Sequence, residues 1–237
     1  MAPIERRLLF DSNALKIYLE KEKPDYIFHL AAYGNMSNQK DEQEIFNTNV
    51  IGTWNMLMAS KSIDYKKFIN FSTSSVLLSY ETFYSASKAA SERLANAFLQ
   101  QGKPILTVRP YSIYGEGEAD FRFIPTAIKC LLKNQPLNLD PRAYHDWVHI
   151  DDFIGELWLM TKSNRKGVWP LGTGKKYSNE EVLRLLEKIS GLKAIRVITK
   201  LRSFDTTNWV SPQSTVRSDL EKGLRKTFEY YKSLYRV

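Results

Sequence analysis

The 237-residue sequence holds one cysteine, three histidines, no glycine before Gly34 and no apolar run longer than a handful of residues. A single cysteine, Cys130, closes no disulfide within the chain, and together with three histidines it offers no zinc set. A bilayer-spanning helix needs about 20 consecutive apolar residues. The apolar stretch Tyr26–Ala32 is short and interrupted by His29, so no membrane partner is expected. Residues Met1 to Lys16 turn charged too soon to supply the apolar core of a signal peptide, which points to a reducing, cytoplasmic setting. What remains, 43% apolar and 25% charged residues, is ordinary globular composition and excludes collagen-like or disordered chains. A chain of this length buries roughly 70% of its unfolded surface and needs no staple.

The formal net charge of +8 is unevenly spread. Residues 1–159 carry 17 Lys+Arg against 19 Asp+Glu, whereas residues 160–237 carry 17 against 7. A basic last third favours any anionic partner, from nucleic acid to a phosphorylated metabolite, or is simply a solvated helical surface. Its helices carry no helix-turn-helix or RNA-binding signature, so the reading is no nucleic acid.

Tyr26–Ala31, Lys67–Ser72 and Ile105–Arg109 are near-continuous apolar or β-branched stretches of strand length, as in parallel strands covered on both faces. Between them, Asp41–Lys61 and Tyr84–Gln101 show helical spacing, and Gly102 with Pro104 marks a helix stop. Strands alternating with helices predict right-handed βαβ units and a doubly wound α/β sheet. Beyond Arg109 the pattern loosens. Helices are expected at about Ile124–Lys133, from near Asp151, after a capping box at Ser178–Glu181, and over roughly Glu221–Tyr235, in a smaller α/β lobe.

Tyr84 and Lys88, four residues apart at a predicted helix start, share one helix face. A phenol is almost wholly protonated at neutral pH, and a nearby cation lowers its pKa, so such a tyrosine can take a proton from a sugar hydroxyl and return it. Chance Tyr–Lys pairs at this spacing are common, and context has to decide. Thr73, Ser74 and Ser75 follow the strand Lys67–Ser72, at the carboxyl end where open α/β sheets place ligands, although turn or N-cap duty is the plainer use of such a cluster.

With these residues in place the sequence resembles the extended short-chain dehydrogenase/reductases, specifically the NAD-dependent nucleotide-sugar epimerases and dehydratases (UDP-glucose 4-epimerase-like). The matching pieces run in order through His29-Leu30-Ala31-Ala32, Asn47 to Thr53, Phe71 to Ser75, Tyr84 to Lys88, Arg109 to Gly115, His145 to Asp152, and Arg202 to Asp205, nearly the whole chain. The resemblance implies a Rossmann-like doubly wound sheet over residues 1–110, carrying the Tyr/Lys pair, and a mainly substrate-binding lobe over 111–237 with some segments returning to the sheet. It implies NAD as cofactor and a nucleotide-diphosphate sugar as partner. Thr73, Tyr84 and Lys88 fall on the catalytic triad; Leu30, Ala31, Ala32, Asn49 and Tyr111, with Tyr84 and Lys88, fall on cofactor positions. Thr73, Ser74, Ser112, His145, Arg202 and Asp205 fall where the family meets its sugar nucleotide. The implied reaction oxidises a sugar carbon, the fourth in the ring, and re-reduces it through a 4-keto sugar.

Dehydratases of the family carry an acid and a glutamate directly after the threonine. Here Ser74 and Ser75 stand there, and neither does acid–base work at neutral pH, which favours an epimerase or simple oxidoreductase. The family's opening glycine-rich turn has no counterpart before Gly34, so the fold is expected to be N-terminally truncated, with Arg7–Phe10 as remnant of the third strand. Only ten residues separate Thr73 from Tyr84, shortening the substrate wall, and His145 replaces an arginine. The alternatives are a homologue unable to use its cofactor that serves as a binding or scaffold protein, and a 4-keto reductase. Family dimers pair two long helices per subunit into a four-helix bundle. Trp54, Met58 and Leu94 then face a partner, or else lie in the subunit's own core.

Overall fold

The computed structural model describes residues 4–36, 38–79, 81–199 and 209–235. They form two compact units: residues 1–110 with 160–169, and 111–159 with 170–237.

The first unit is built on the strands β1 (Tyr26–His29), β2 (Lys67–Phe71) and β3 (Ile105–Pro110). They pair in parallel in the order β1–β2–β3, with β8 (Gly167–Leu171) next to β3. Phe68, Ile69, Ile105 and Leu106 are fully buried, as expected for strands covered on both faces. The helix α1 (Ser12–Glu22) starts at Asp11, whose carboxylate accepts from the amides of Asn13 and Ala14, and its Leu15 and Leu19 pack with Leu57 of α3 (Gly52–Ser60). Arg7–Phe10, expected as a strand remnant, lies instead in a 3-10 turn over Arg6–Phe10. Leu9 is buried there and its carbonyl accepts from Asn55 Nδ2 at 2.7 Å, which winds the segment straight into the cap of α1.

α2 (Glu42–Phe46) runs into α3 through a π-helical segment, Asn47–Ile51, as the long helix expected over Asp41–Lys61 with one widened turn. α4 (Phe83–Gln100) opens on a reciprocal capping box. Thr82 Oγ1 accepts from the Ser85 amide at 3.1 Å, and Ser85 Oγ accepts from the Thr82 amide at 2.8 Å. Trp54 and Met58 are exposed, so the alternative of burial in the subunit's own core is not met for either; Leu94 is half-buried.

The second unit joins three short pairings. These are β4 (Ser112–Tyr114) with β7 (Trp147–His149), β5 (Pro136–Leu139) with β10 (Ile195–Ile198), and β6 (Tyr144–His145) with β9 (Tyr177–Ser178). Around them pack α5 (Phe123–Leu132), α7 (Asn179–Ser190) and α8 (Leu220–Tyr235), which share a core of Ile124, Ile128, Trp147, Leu183, Leu224 and Phe228. α6 (Ile150–Lys162) begins in this unit and ends in the first. The capping box at Ser178 and Glu181 forms as the sequence predicts, and the left-handed Gly191 (φ 72°) ends α7. Arg196 on β10 forks onto Glu187 at 2.8 and 3.0 Å, fastening that strand to α7 and holding the Glu187 carboxyl down at about 2. Among the described residues no helix is long and apolar enough to cross a membrane.

Gly223 on α8 has no room for a side chain: a Cβ there would lie 2.2 Å from Tyr114 Oη and 3.0 Å from the His149 ring. Gly223→Ala is therefore expected to destabilise the protein by about 1–3 kcal/mol through overpacking, where an exposed helical glycine would gain about 1 kcal/mol. Combining it with Tyr114→Phe should recover part of the loss. Urea unfolding of the three variants checks both sign and cause.

Candidate active site

α4 carries Tyr84 in its first turn and Lys88 one turn on, both on one face. Tyr84 is half-buried, while Lys88 is 1% exposed. Thr73 lies just past β2 and caps the short turn Ser74–Leu77, its Oγ1 accepting from the Ser75 amide at 3.2 Å. That turn packs against α4, and Ser74 within it is half-buried. Thr73 thus performs the plain capping duty of a hydroxyl and stands at a strand's carboxyl end beside the Tyr84 helix. Leu30, Ala31 and Ala32 follow β1 in a loop, Leu30 and Ala32 exposed.

Asn49, in the π-helical segment, is fully buried and fully engaged. Its Oδ1 accepts from the Tyr33 amide, and its Nδ2 donates to the Tyr33 carbonyl and to Ser87 Oγ, each at 2.8 Å. One side chain thereby ties the loop after β1 to the turn of α4 between Tyr84 and Lys88. Gly34 in that loop adopts φ 101°, and a Cβ on it would meet Ile45 at 2.7 Å.

Burial is the main force on Lys88, pulling its pKa down from 10.5 to about 8; the carboxylate of Glu92, one turn further along α4, pulls the other way. His29 on β1 is buried beneath the same region, its Nε2 3.0 Å from Thr53 Oγ1. Desolvation first, and the Lys88 charge second, push its pKa to about 3, so its imidazole is neutral at pH 7. Parallel register sets His29, Asn70 and Thr107 in a row across the sheet, all three buried.

In the second unit, Ser112 Oγ and His145 Nδ1 lie 3.2 Å apart. The His145 ring sits between Trp147 and Trp209, with centroids 4.9 and 5.1 Å away. The residue that organises this group is Asp146, which the sequence motifs left without a role. Fully buried, it accepts from the Thr173 amide (2.9 Å), Thr173 Oγ1 (2.6 Å), the Gly174 amide (2.9 Å) and the Ser211 amide (3.0 Å). Only glycine fits at position 172, where a Cβ would come within 2.6 Å of Asp146 Oδ2 and 3.0 Å of the Tyr111 ring. Tyr111 itself is buried, its amide donating to the Leu171 carbonyl. Arg202 and Asp205 lie outside the described residues.

A parallel α/β sheet with a tyrosine–lysine pair on the helix after its second strand defines the Rossmann-like dehydrogenase class. Residues 4–172 match the NAD dependent epimerase/dehydratase family, and the chain belongs to that family, whose cofactor is NAD. The dTDP-D-glucose 4,6-dehydratase of Dictyostelium discoideum is 28% identical over 211 residues, which cover 77% of this chain and 49% of that protein. The UDP-glucuronate 4-epimerase of Thermodesulfobacterium geofontis is 26% identical over 250 residues, covering 93% and 76%. The chain thus spans about half the length of the first relative and about three-quarters of the second. The crystal structure of UDP-glucuronic acid 4-epimerase from Bacillus cereus, in complex with UDP-glucuronic acid and NAD, superposes with a TM-score of 0.81 at 26% identity, covering 93% of this chain and 79% of that one. The UDP-glucose 4-epimerase of Thermotoga maritima shares the fold at a TM-score of 0.86 and 21% identity, covering 96% and 83%.

The first unit fits the family's cofactor at one end. The buried Lys88 ammonium carries three donors suited to hydroxyl oxygens, and Tyr84 shares its face of α4. No glycine-rich turn that could cradle a diphosphate occurs before Gly34, whose own surroundings are filled by Ile45. Because the Lys88 ammonium is held charged in a dry interface, Lys88→Met is expected to stabilise the protein at pH 7, by on the order of 2 kcal/mol. The folded pKa of about 8 is below the unfolded 10.5, so the wild type gains stability as pH rises from 8 to 10.5 and the advantage of the variant shrinks over that window. Urea unfolding of both proteins at pH 7 and pH 10 measures it.

Proposed function

We propose that the chain is a nucleotide-sugar oxidoreductase of the 4-epimerase type, in which Tyr84 exchanges a proton with a sugar hydroxyl. The observation that carries this reading is the placement of Tyr84 and the buried Lys88 on one face of α4, next to the turn that Thr73 caps. Lys88 favours the phenolate form of Tyr84 through its charge, and Thr73 offers a hydroxyl to the same substrate oxygen. NAD, when bound, accepts and returns hydride at the sugar carbon. Lys88 and Tyr84, with Leu30 to Ala32, Asn49 and Tyr111, are the residues assigned to hold it, and Asn49 acts by fixing the loop after β1. On the substrate side the proposal assigns Ser74, Ser112, His145, Arg202 and Asp205, His145 presenting an imidazole where an arginine is usual. Ser74 and Ser75 supply no acid–base pair for elimination, which supports epimerisation or 4-keto reduction over dehydration.

Exposed Trp54, Met58 and Phe46 along α2 and α3 support a homodimer in which these helices and α4 meet their symmetry mates in a four-helix bundle. The second reading is a homologue that binds nucleotide sugars without turnover.

Titration of the purified chain with NAD⁺ and, separately, with UDP-sugars decides between the two. Saturable NAD⁺ binding in the micromolar range, with turnover that Tyr84→Phe lowers by about 10²–10⁴-fold, is the expected outcome. Binding of a UDP-sugar with no NAD⁺ binding at millimolar concentration, and an inert Tyr84→Phe, would leave the second reading standing.

A further inference from the structure

Glu92 is a buried carboxylate for which the proton-transfer scheme has no use. It lies on α4 one turn beyond Lys88, its side chain 9% exposed, at the point where the helix crosses the carboxyl ends of two strands. Three donors fix it: Ser72 Oγ to Oε1 at 2.5 Å, Arg109 Nε to Oε1 at 2.7 Å, and Arg109 Nη2 to Oε2 at 2.6 Å. Ser72 is the residue before Thr73, and Arg109 is the penultimate residue of β3. A carboxylate this thoroughly clamped does not swing, so its distance from Lys88 is set by the helix and by two strands at once.

From this geometry we infer that Glu92 is a positioning residue of the Tyr84–Lys88 pair, supplying the fixed negative charge that keeps the buried Lys88 ammonium protonated. The inference rests on the acid–base reading of Tyr84 for its purpose but not for its test. Burial alone drives a lysine toward the neutral amine, and a neutral amine does nothing to favour a phenolate. Among the described residues, the charged and titratable groups tied to Lys88 are Glu92 and, on the same helix face, Tyr84; His29 on β1, neutral at pH 7; and, through Glu92, Arg109 on β3. Arg109 does not cancel Glu92 at this site, because its side chain is 24% exposed and water screens the guanidinium more than the carboxylate. Among the described residues, the Glu92 carboxylate opposes the effect of burial on Lys88. Tyr84, Lys88 and Glu92 then form a ladder of three successive turns: phenol, ammonium, carboxylate.

The test reads Lys88 directly. In protein carrying ¹³C,¹⁵N-lysine, the side-chain resonances of Lys88, assigned by their loss in Lys88→Met, are followed against pH in the unsubstituted chain, Glu92→Gln and Glu92→Asp. The expected result is a Lys88 midpoint that falls by about one pH unit or more in Glu92→Gln, a tenfold loss of proton affinity, with an intermediate fall in Glu92→Asp, which keeps the charge but withdraws it by one methylene. A merely structural contact would not order the midpoints this way. A folded Glu92→Gln whose Lys88 titrates as in the unsubstituted chain would overturn the inference, as would a Lys88 found uncharged at pH 7 before any substitution. Should Glu92→Gln not fold, Glu92→Asp decides: a lowered midpoint supports the inference and an unmoved one sinks it. An inert Tyr84→Phe would defeat the acid–base reading and leave these spectra untouched, so the two failures are told apart.

Discussion

The burial of the Lys88 ammonium is the constraint around which the first unit is arranged. A charge taken out of water must be answered or it is lost to the neutral form. The answer is distributed over several elements: Glu92 on the same helix, clamped by Ser72 and Arg109, and a row of buried polar side chains across the sheet that begins with a neutral His29. Asn49 adds the mechanical part, holding the loop after β1 against α4 by three hydrogen bonds from one amide. Each of these groups would lower stability if left alone in a dry interface, and together they keep a cation beside a tyrosine.

The second unit solves the inverse problem with Asp146. There the buried charge is negative, and four donors from two separate segments converge on it. The loop Gly172–Gly174 and the segment at Ser211 are drawn to one carboxylate, and the chain next to it delivers His145 to Ser112 and against two tryptophans. An arginine at position 145 would project a long charged fork. The imidazole is short and flanked by rings, a different surface from that fork. The two units therefore share a device: a single buried charge that fixes loops which have little regular structure of their own.

Much of this was legible in the residues. Period and punctuation located β1, β2, β3, α4 and α7 to within a residue or two, because burial on both faces of a strand and the capping box at Ser178 leave local signatures. The Tyr84–Lys88 spacing named its own helix face. Glu92 was within reach by the same rule, four residues further on, but a glutamate in a helix is usually solvated, and nothing local says that Arg109 and Ser72 will meet it. The stretch Arg7–Phe10 misled for a related reason: Leu8, Leu9 and Phe10 read as a strand, and only the hydrogen bond from Asn55 and the adjacent Asp11 cap turn them into a 3-10 helix.

By itself the sequence determined the class of fold, the family and the elements carrying the acid–base residues, since these depend on periodicity, capping and short motifs that act over a few residues. Tertiary structure alone decided which polar groups are buried and which partners they meet. It made Lys88 a dry cation, His29 a neutral imidazole, Glu92 a clamped counter-charge and Asp146 the anchor of its unit. Desolvation is a property of everything packed around a group, and those neighbours come from strands and helices far apart in the chain.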